Sequence, residues 1–159
     1  MSAQQRGYVF ETAQNHYNSP RYPADISNEQ AFIPTGMYLG WLIERGLVSD
    51  YFLNETQNEL NLFSQGRITA PKIFKSWGGI LSQAMLKPQA HDFSRVYFSN
   101  RLNEPGKYYH DYKKLLGPNL SSIFSIPDTW ENYQAVKTML DQRFKQYQKA
   151  NRKPWWKFW

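Results

Sequence analysis

Apolar side chains surround the stretch Ile33 to Leu47 on nearly every side of a helix. Met37–Trp41, Tyr38–Leu42 and Leu39–Ile43 are three separate i,i+4 rows, so the apolar surface is wider than one face. Such a helix is stable in water only when other elements surround it, and the pattern predicts a central core helix. Pro34 suits the first turn, Thr35 is placed to cap nearby amides, and Gly46 sits where a left-handed residue ends the helix. Gly36 and Gly40, four apart, leave a smooth strip against which another backbone can pack.

The same periodicity predicts further helices on either side. One runs from Ser49, a simple serine cap, through Leu53, Leu60 and Phe63 to Gln65, and Gly66 stops it. Thr69-Ala70-Pro71 opens another carrying Ile73, Phe74 and Trp77, closed by Gly78-Gly79. Ile80 to Leu86 is a short apolar piece before Pro88. His91 to Arg101 and Tyr108 to Leu116 read as helices, the second ended by Gly117-Pro118. Asp128, with Glu131 three residues on, predicts a capping box. From there Trp130, Tyr133, Val136, Leu140, Phe144 and Tyr147 mark the longest amphipathic helix. Residues 1–30 are polar and interrupted by Pro20 and Pro23, which favour extended and turn structure. Short strands are allowed at 7–11 and 122–126. The fold class is therefore mainly α: one compact domain of about six or seven helices over residues 1–150, followed by a basic aromatic tail, 151–159.

Composition sharpens the functional reading. Aromatic residues make up 17% of the 159, which favours a folded body over disorder. The absence of cysteine removes disulfides, thiolate nucleophiles and cysteine zinc sites. No signal peptide or long apolar run is visible, so a cytoplasmic location is the default expectation. The formal charge of +6 is unevenly placed. Basic and acidic side chains balance over residues 1–136. Residues 137–159 hold Lys137, Arg143, Lys145, Lys149, Arg152, Lys153 and Lys157 against Asp141 alone.

No catalytic motif stands out. His91-Asp92 and His110-Asp111 are sequence neighbours, which on a helix do not face each other, so neither is a ready base and orienting acid. Tyr109 and Lys113 imitate a dehydrogenase dyad, but no glycine-rich dinucleotide fingerprint accompanies them. Metal-binding and phosphate-binding signatures are absent too, so no cofactor is expected, and an enzyme is the least favoured class. The tail remains. Pro154 stops the preceding helix and leaves Trp155, Trp156, Phe158 and Trp159 beside Arg152, Lys153 and Lys157. These rings can pack on the body, since leaving indoles in water costs roughly 25 cal/mol per Å². They can also anchor a protein partner, or meet a membrane surface or nucleic-acid bases. The candidate partner-binding residues are Arg152, Lys153, Trp155, Trp156, Lys157 and Trp159.

Several stretches carry a resemblance: Gly36-Met37-Tyr38-Leu39-Gly40-Trp41, Arg45-Gly46-Leu47-Val48-Ser49, Phe93 with Tyr97-Phe98, Tyr109-His110-Asp111-Tyr112, Asp128-Thr129-Trp130-Glu131-Asn132-Tyr133 and Trp155-Trp156-Lys157-Phe158-Trp159. Over residues 17–159 the chain resembles a family of small bacterial proteins, several of which look like immunity proteins encoded beside antibacterial toxins. Members often carry a histidine two places before the motif glycine. Pro34 stands there in this chain, and no role for such a histidine transfers. The resemblance implies a non-enzymatic binding protein that blocks a cognate toxin protein. The alternative class is an adaptor that binds nucleic acid or an anionic membrane through the basic aromatic tail. Inhibitors of basic nuclease toxins tend to be acidic, because opposite fields speed encounter. A body near neutrality with a basic end suits a toxin with an acidic or apolar face instead.

Overall fold

A computed structural model describes residues 3–98 and 106–152. The elements run in the order α1 (Ala3–Arg6), β1 (Val9–Thr12), α2 (Ala13–Tyr17), α3 (Ile33–Glu44), α4 (Asp50–Glu55), α5 (Gln57–Ser64), α6 (Ala70–Ser76), β2 (Ile80–Ser82), α7 (Pro88–Phe98), α8 (Lys107–Leu116) and α9 (Trp130–Ala150). Short 3-10 turns lie at Asn28–Phe32, Gln83–Met85 and Ile123–Ser125. The fold is mainly α, a single body built around α3.

In α3 every residue from Ile33 to Leu42 is buried. The glycine strip does what its spacing predicts. A Cβ on Gly36 would lie 2.4 Å from Pro71 Cα, and one on Gly40 would lie 2.6 Å from Ala70 Cβ. The backbone of α6 therefore rests directly on α3. Gly46 takes φ 67° and closes the helix, with Gly46 N–H donating to the Ile43 carbonyl and Leu47 N–H to that of Leu42. Thr35 is not a cap. It is buried, and its hydroxyl pairs with that of Tyr109 at 2.8 Å. The start of α3 instead continues from the preceding 3-10 turn, and Phe32 at its N-cap makes no side-chain cap bond.

The predicted helix from Ser49 is divided. Ser49 caps α4 by accepting from Phe52 N–H. Thr56, with φ −121° and ψ 23°, interrupts the helix, and its buried hydroxyl donates to the Phe52 carbonyl at 2.6 Å. Helix α5 then runs to Ser64, before Gly66 at φ 71°. Helix α7 begins at Pro88, three residues earlier than expected, and the expected end at Arg101 lies outside the described residues.

Of the two allowed strands, the first forms and the second does not. Residues 122–126 make a 3-10 turn with Ser122 accepting from Phe124 N–H. The partner of β1 is β2, taken from the apolar piece Ile80–Leu86. The pair is antiparallel, with Val9 opposite Ser82, Glu11 opposite Leu81 and Thr12 opposite Ile80. The irregularity between Val9 and Glu11 turns both Phe10 and Glu11 towards the interior, as a bulge does. The polar N-terminal region also holds the helices α1 and α2, which its composition did not announce.

Asp128 does not cap α9. Thr129 does, accepting from Asn132 N–H at 3.1 Å, while Asp128 turns away and accepts the Thr69 hydroxyl at the start of α6. Tyr133, Val136, Leu140 and Phe144 of α9 are buried, at spacings of three and four, so α9 packs on the body along its whole inward face.

Candidate binding groove between α8 and α9

Of the predicted contact residues only Arg152 is described. It is exposed and follows the end of α9. Lys153, Trp155, Trp156, Lys157 and Trp159 lie outside the described residues. Most of the described part of the basic C-terminal segment lies in α9, and that helix forms a groove with α8.

Helix α8 sorts its side chains by period. Tyr108, Tyr109 and Tyr112 face the core, while Lys107, Asp111, Lys114 and Leu115 follow at steps of four, three and one, with Asp111 buried against α9 and the others exposed. On α9, Met139, Gln142, Arg143 and Gln146 form the matching stripe. Between them lies a groove of about 460 Å³ lined by Asp111, Lys114, Leu115, Met139, Gln142, Arg143 and Gln146. Leu115 is 43% exposed and Met139 half-buried, so each wall contributes one apolar side chain.

The floor is a locked ion pair. Arg143 Nε donates to Asp111 Oδ2 at 2.7 Å and Nη2 to Oδ1 at 2.8 Å, a bidentate arrangement. The Tyr97 hydroxyl of α7 adds a third donor to Oδ2 at 2.6 Å. Burial opposes the charge on Asp111, but the Arg143 guanidinium and the Tyr97 hydroxyl outweigh it and hold the carboxyl below its usual range. Burial, joined by the Asp111 carboxylate, pushes the Tyr97 phenol up. Arg143 also reaches Gln146 Oε1 with Nη1 at 3.3 Å. Asp111 is thus an ionised acceptor with both oxygens occupied, suited to fixing Arg143 rather than to taking a proton from a substrate.

Removing Arg143 strands a carboxylate that is only 7% exposed. Arg143→Ala is expected to cost about 2–4 kcal/mol at neutral pH, at the lower edge of the cost of breaking a buried pair because Arg143 is a third exposed. The sign of the pH dependence follows from the depressed carboxyl. The pair's stabilisation is present above the unfolded value of about 3.9 and is lost as pH falls through the lower folded value. The gap between variant and wild type in urea midpoints should therefore narrow below about pH 4. A gap that stays constant would show that Asp111 is not held by Arg143.

Neither His91 nor His110 pairs with the aspartate beside it, and His16 and His91 find other partners. His16 Nε2 lies 3.2 Å from Glu11 Oε1 and 3.2 Å from the Tyr109 hydroxyl, which also meets Thr35. Burial and the Glu11 carboxylate raise the Tyr109 phenol well above its ordinary value. This four-residue network ties β1, α2, α3 and α8 together. Glu11 and His16 are five residues apart in the chain, and only the bulge and the strand-to-helix turn bring them together. Sequence spacing gave no signal for the pair. His91 Nε2 sits between the carbonyls of Gln83 at 3.1 Å and Leu86 at 2.9 Å, pinning the 3-10 turn after β2. His110 is exposed while Asp111 points to Arg143. Among the described residues no group of three or more His, Asp or Glu side chains is placed to hold a metal ion.

Among the described residues no helix is long and apolar enough to cross a membrane. No curated protein and no solved structure matches the chain. A family match does exist, and it covers β1 through the 3-10 turn at Ile123–Ser125, including all of α3 and α8 but not α9. The motifs at Asp128–Tyr133 and Trp155–Trp159 fall beyond it. With residues 9–126 matched, the chain belongs to the family described as Domain of unknown function (DUF7832).

Proposed function

We propose that this protein is a non-enzymatic binding protein, an immunity protein that neutralises a cognate antibacterial toxin by direct contact in the cytoplasm. The groove between α8 and α9 carries the reading. Its floor is held rigid by three charge-assisted hydrogen bonds, each wall contributes one apolar side chain, and Lys114 stands exposed at the rim. A rigid floor lowers the ordering cost of association, and apolar contact edged by charge is how protein interfaces are commonly built. The basic C-terminal segment extends from the same helix, through Lys149 to Arg152. The sequence resemblance to toxin-immunity proteins supports a toxin as the partner.

The test is co-expression with the toxin product of an adjacent gene. A one-to-one complex and protection of the cells are expected. Continued killing, with both proteins soluble and well expressed, removes the immunity reading. Binding of the isolated protein to nucleic acid or anionic vesicles, falling steeply with salt, would put the adaptor reading in its place.

A further inference from the structure

We infer that the α8/α9 groove receives an acidic segment of a partner protein, anchored by one apolar side chain between Leu115 and Met139 and flanked by carboxylates that meet Lys114 and Lys149. This rests on the binding-protein reading and names what that surface takes.

Charge complementarity leads to this occupant. Among the described residues lining the groove, Asp111 is the one acid, and Arg143 answers it with two hydrogen bonds. Lys114 is exposed at the rim and has no ion-pair partner among the described residues. Lys107 precedes Asp111 by one turn on α8, and its charge already favours the ionised carboxylate. Lys149 is three residues past Gln146, so it continues the α9 side of the groove. Lys107, Lys114, Arg143 and Lys149 against Asp111 alone leave the charged side chains in and beside the groove net positive. With a rise of about 1.5 Å per residue, Met139 to Lys149 spans roughly 15 Å, the length of a helical segment of about ten residues.

The walls favour a polypeptide over a polyphosphate. Leu115 and Met139 offer an aliphatic seat, which phosphate and sugar do not need. The amides of Gln142 and Gln146 can both donate to and accept from a peptide. No aromatic ring lines the groove among the described residues, so the stacking that holds single-stranded bases is missing there. Both walls are outer faces of helices with long exposed side chains. A ligand would be covered on one side only, which suits a segment carried by a larger partner.

The experiment selects twelve-residue peptides from a random library on the full-length protein and measures the enriched peptides against variants. Enriched sequences are expected to carry net negative charge with at least one large apolar residue. Lys114→Glu and, separately, Leu115→Ser should each weaken their binding at least tenfold. Lys72→Glu, the same charge change in the cleft beside Phe32 and Asp128, should leave it within twofold. Lys114 and Leu115 are exposed, so both variants should melt as the wild type does, which separates lost binding from lost folding. No enrichment, enrichment of neutral or basic peptides, or equal binding by all the variants overturns the inference. So does binding of a random single-stranded oligonucleotide that Lys114→Glu abolishes while peptides fail to enrich, because the groove would then be a phosphate site. The selection uses no toxin. Failed protection in cells would sink the immunity reading and leave the groove's preference standing, and a failed selection would do the reverse.

Discussion

Trp41→Ala is expected to lower the stability of this protein by about 3–5 kcal/mol, the range for truncating a large buried aromatic. Trp41 is 1% exposed and sits where three helices meet. Its ring lies 5.5 Å from Tyr38 on α3, 5.8 Å from Phe93 on α7 and 5.5 Å from Phe144 on α9. Its indole N–H donates to Asp141 Oδ1 at 2.8 Å, so alanine also removes one of the polar links between α9 and α3. Arg45 shares that carboxylate at 3.3 Å and places its guanidinium 6.0 Å from the indole centre. In a chain of this length each kcal/mol moves the melting temperature by about 2–4 °C, so a fall of about 6–20 °C is expected in a thermal melt. A variant melting within a degree or two of wild type would mean that Trp41 is not the centre of the core.

Gly36→Ala is expected to cost about 3 kcal/mol, although alanine gains about 1 kcal/mol in helix propensity over glycine. The added Cβ would meet Pro71 Cα at 2.4 Å and Pro71 N at 2.9 Å. These are backbone atoms at the start of a helix, and relieving the clash requires moving all of α6. Gly40→Ala is expected to cost less. Its Cβ meets a methyl group, Ala70 Cβ at 2.6 Å, and the end of the Tyr133 ring at 2.9 Å. Ala70→Gly in the Gly40→Ala background should recover part of the loss. Urea titrations of the three variants give the ranking. Equal costs at Gly36 and Gly40 would show that α3 and α6 can slide apart, against the close backbone contact.

Much of the architecture was legible in the chain because its signals are local. Gly46 and Gly66 both take positive φ, where a glycine lacks the Cβ penalty. Ser49 caps, and Pro71 opens a helix, because the requirements of a first turn are met within a few residues. The misreadings share a cause. Thr35 and Asp128 have side chains that suit caps, and both are drawn instead to hydroxyls distant in sequence, Tyr109 and Thr69. A cap is worth about 1 kcal/mol, and a competing hydrogen bond is worth as much, so packing decides which one forms. The stretch Ile80–Leu86 carries no period long enough to separate strand from helix, and β2 exists because β1 lies beside it.

The binding surface divides in the same way. The sequence by itself determined that the net charge is carried by the last twenty-three residues, and that α9 would have one apolar face. It determined the core helix too, since no arrangement other than burial satisfies apolar groups on every side. Only the tertiary structure decided that Asp111, read as a neighbour of His110, would instead receive Arg143 from a helix thirty-two positions away. That pairing turns two opposite charges into the floor of a groove and leaves Lys114 to set its field. The physical reason is distance. Hydrophobic period and turn chemistry act over one or two turns of chain, whereas an ion pair depends on where two helices dock, and docking is set by the buried faces of all of them together.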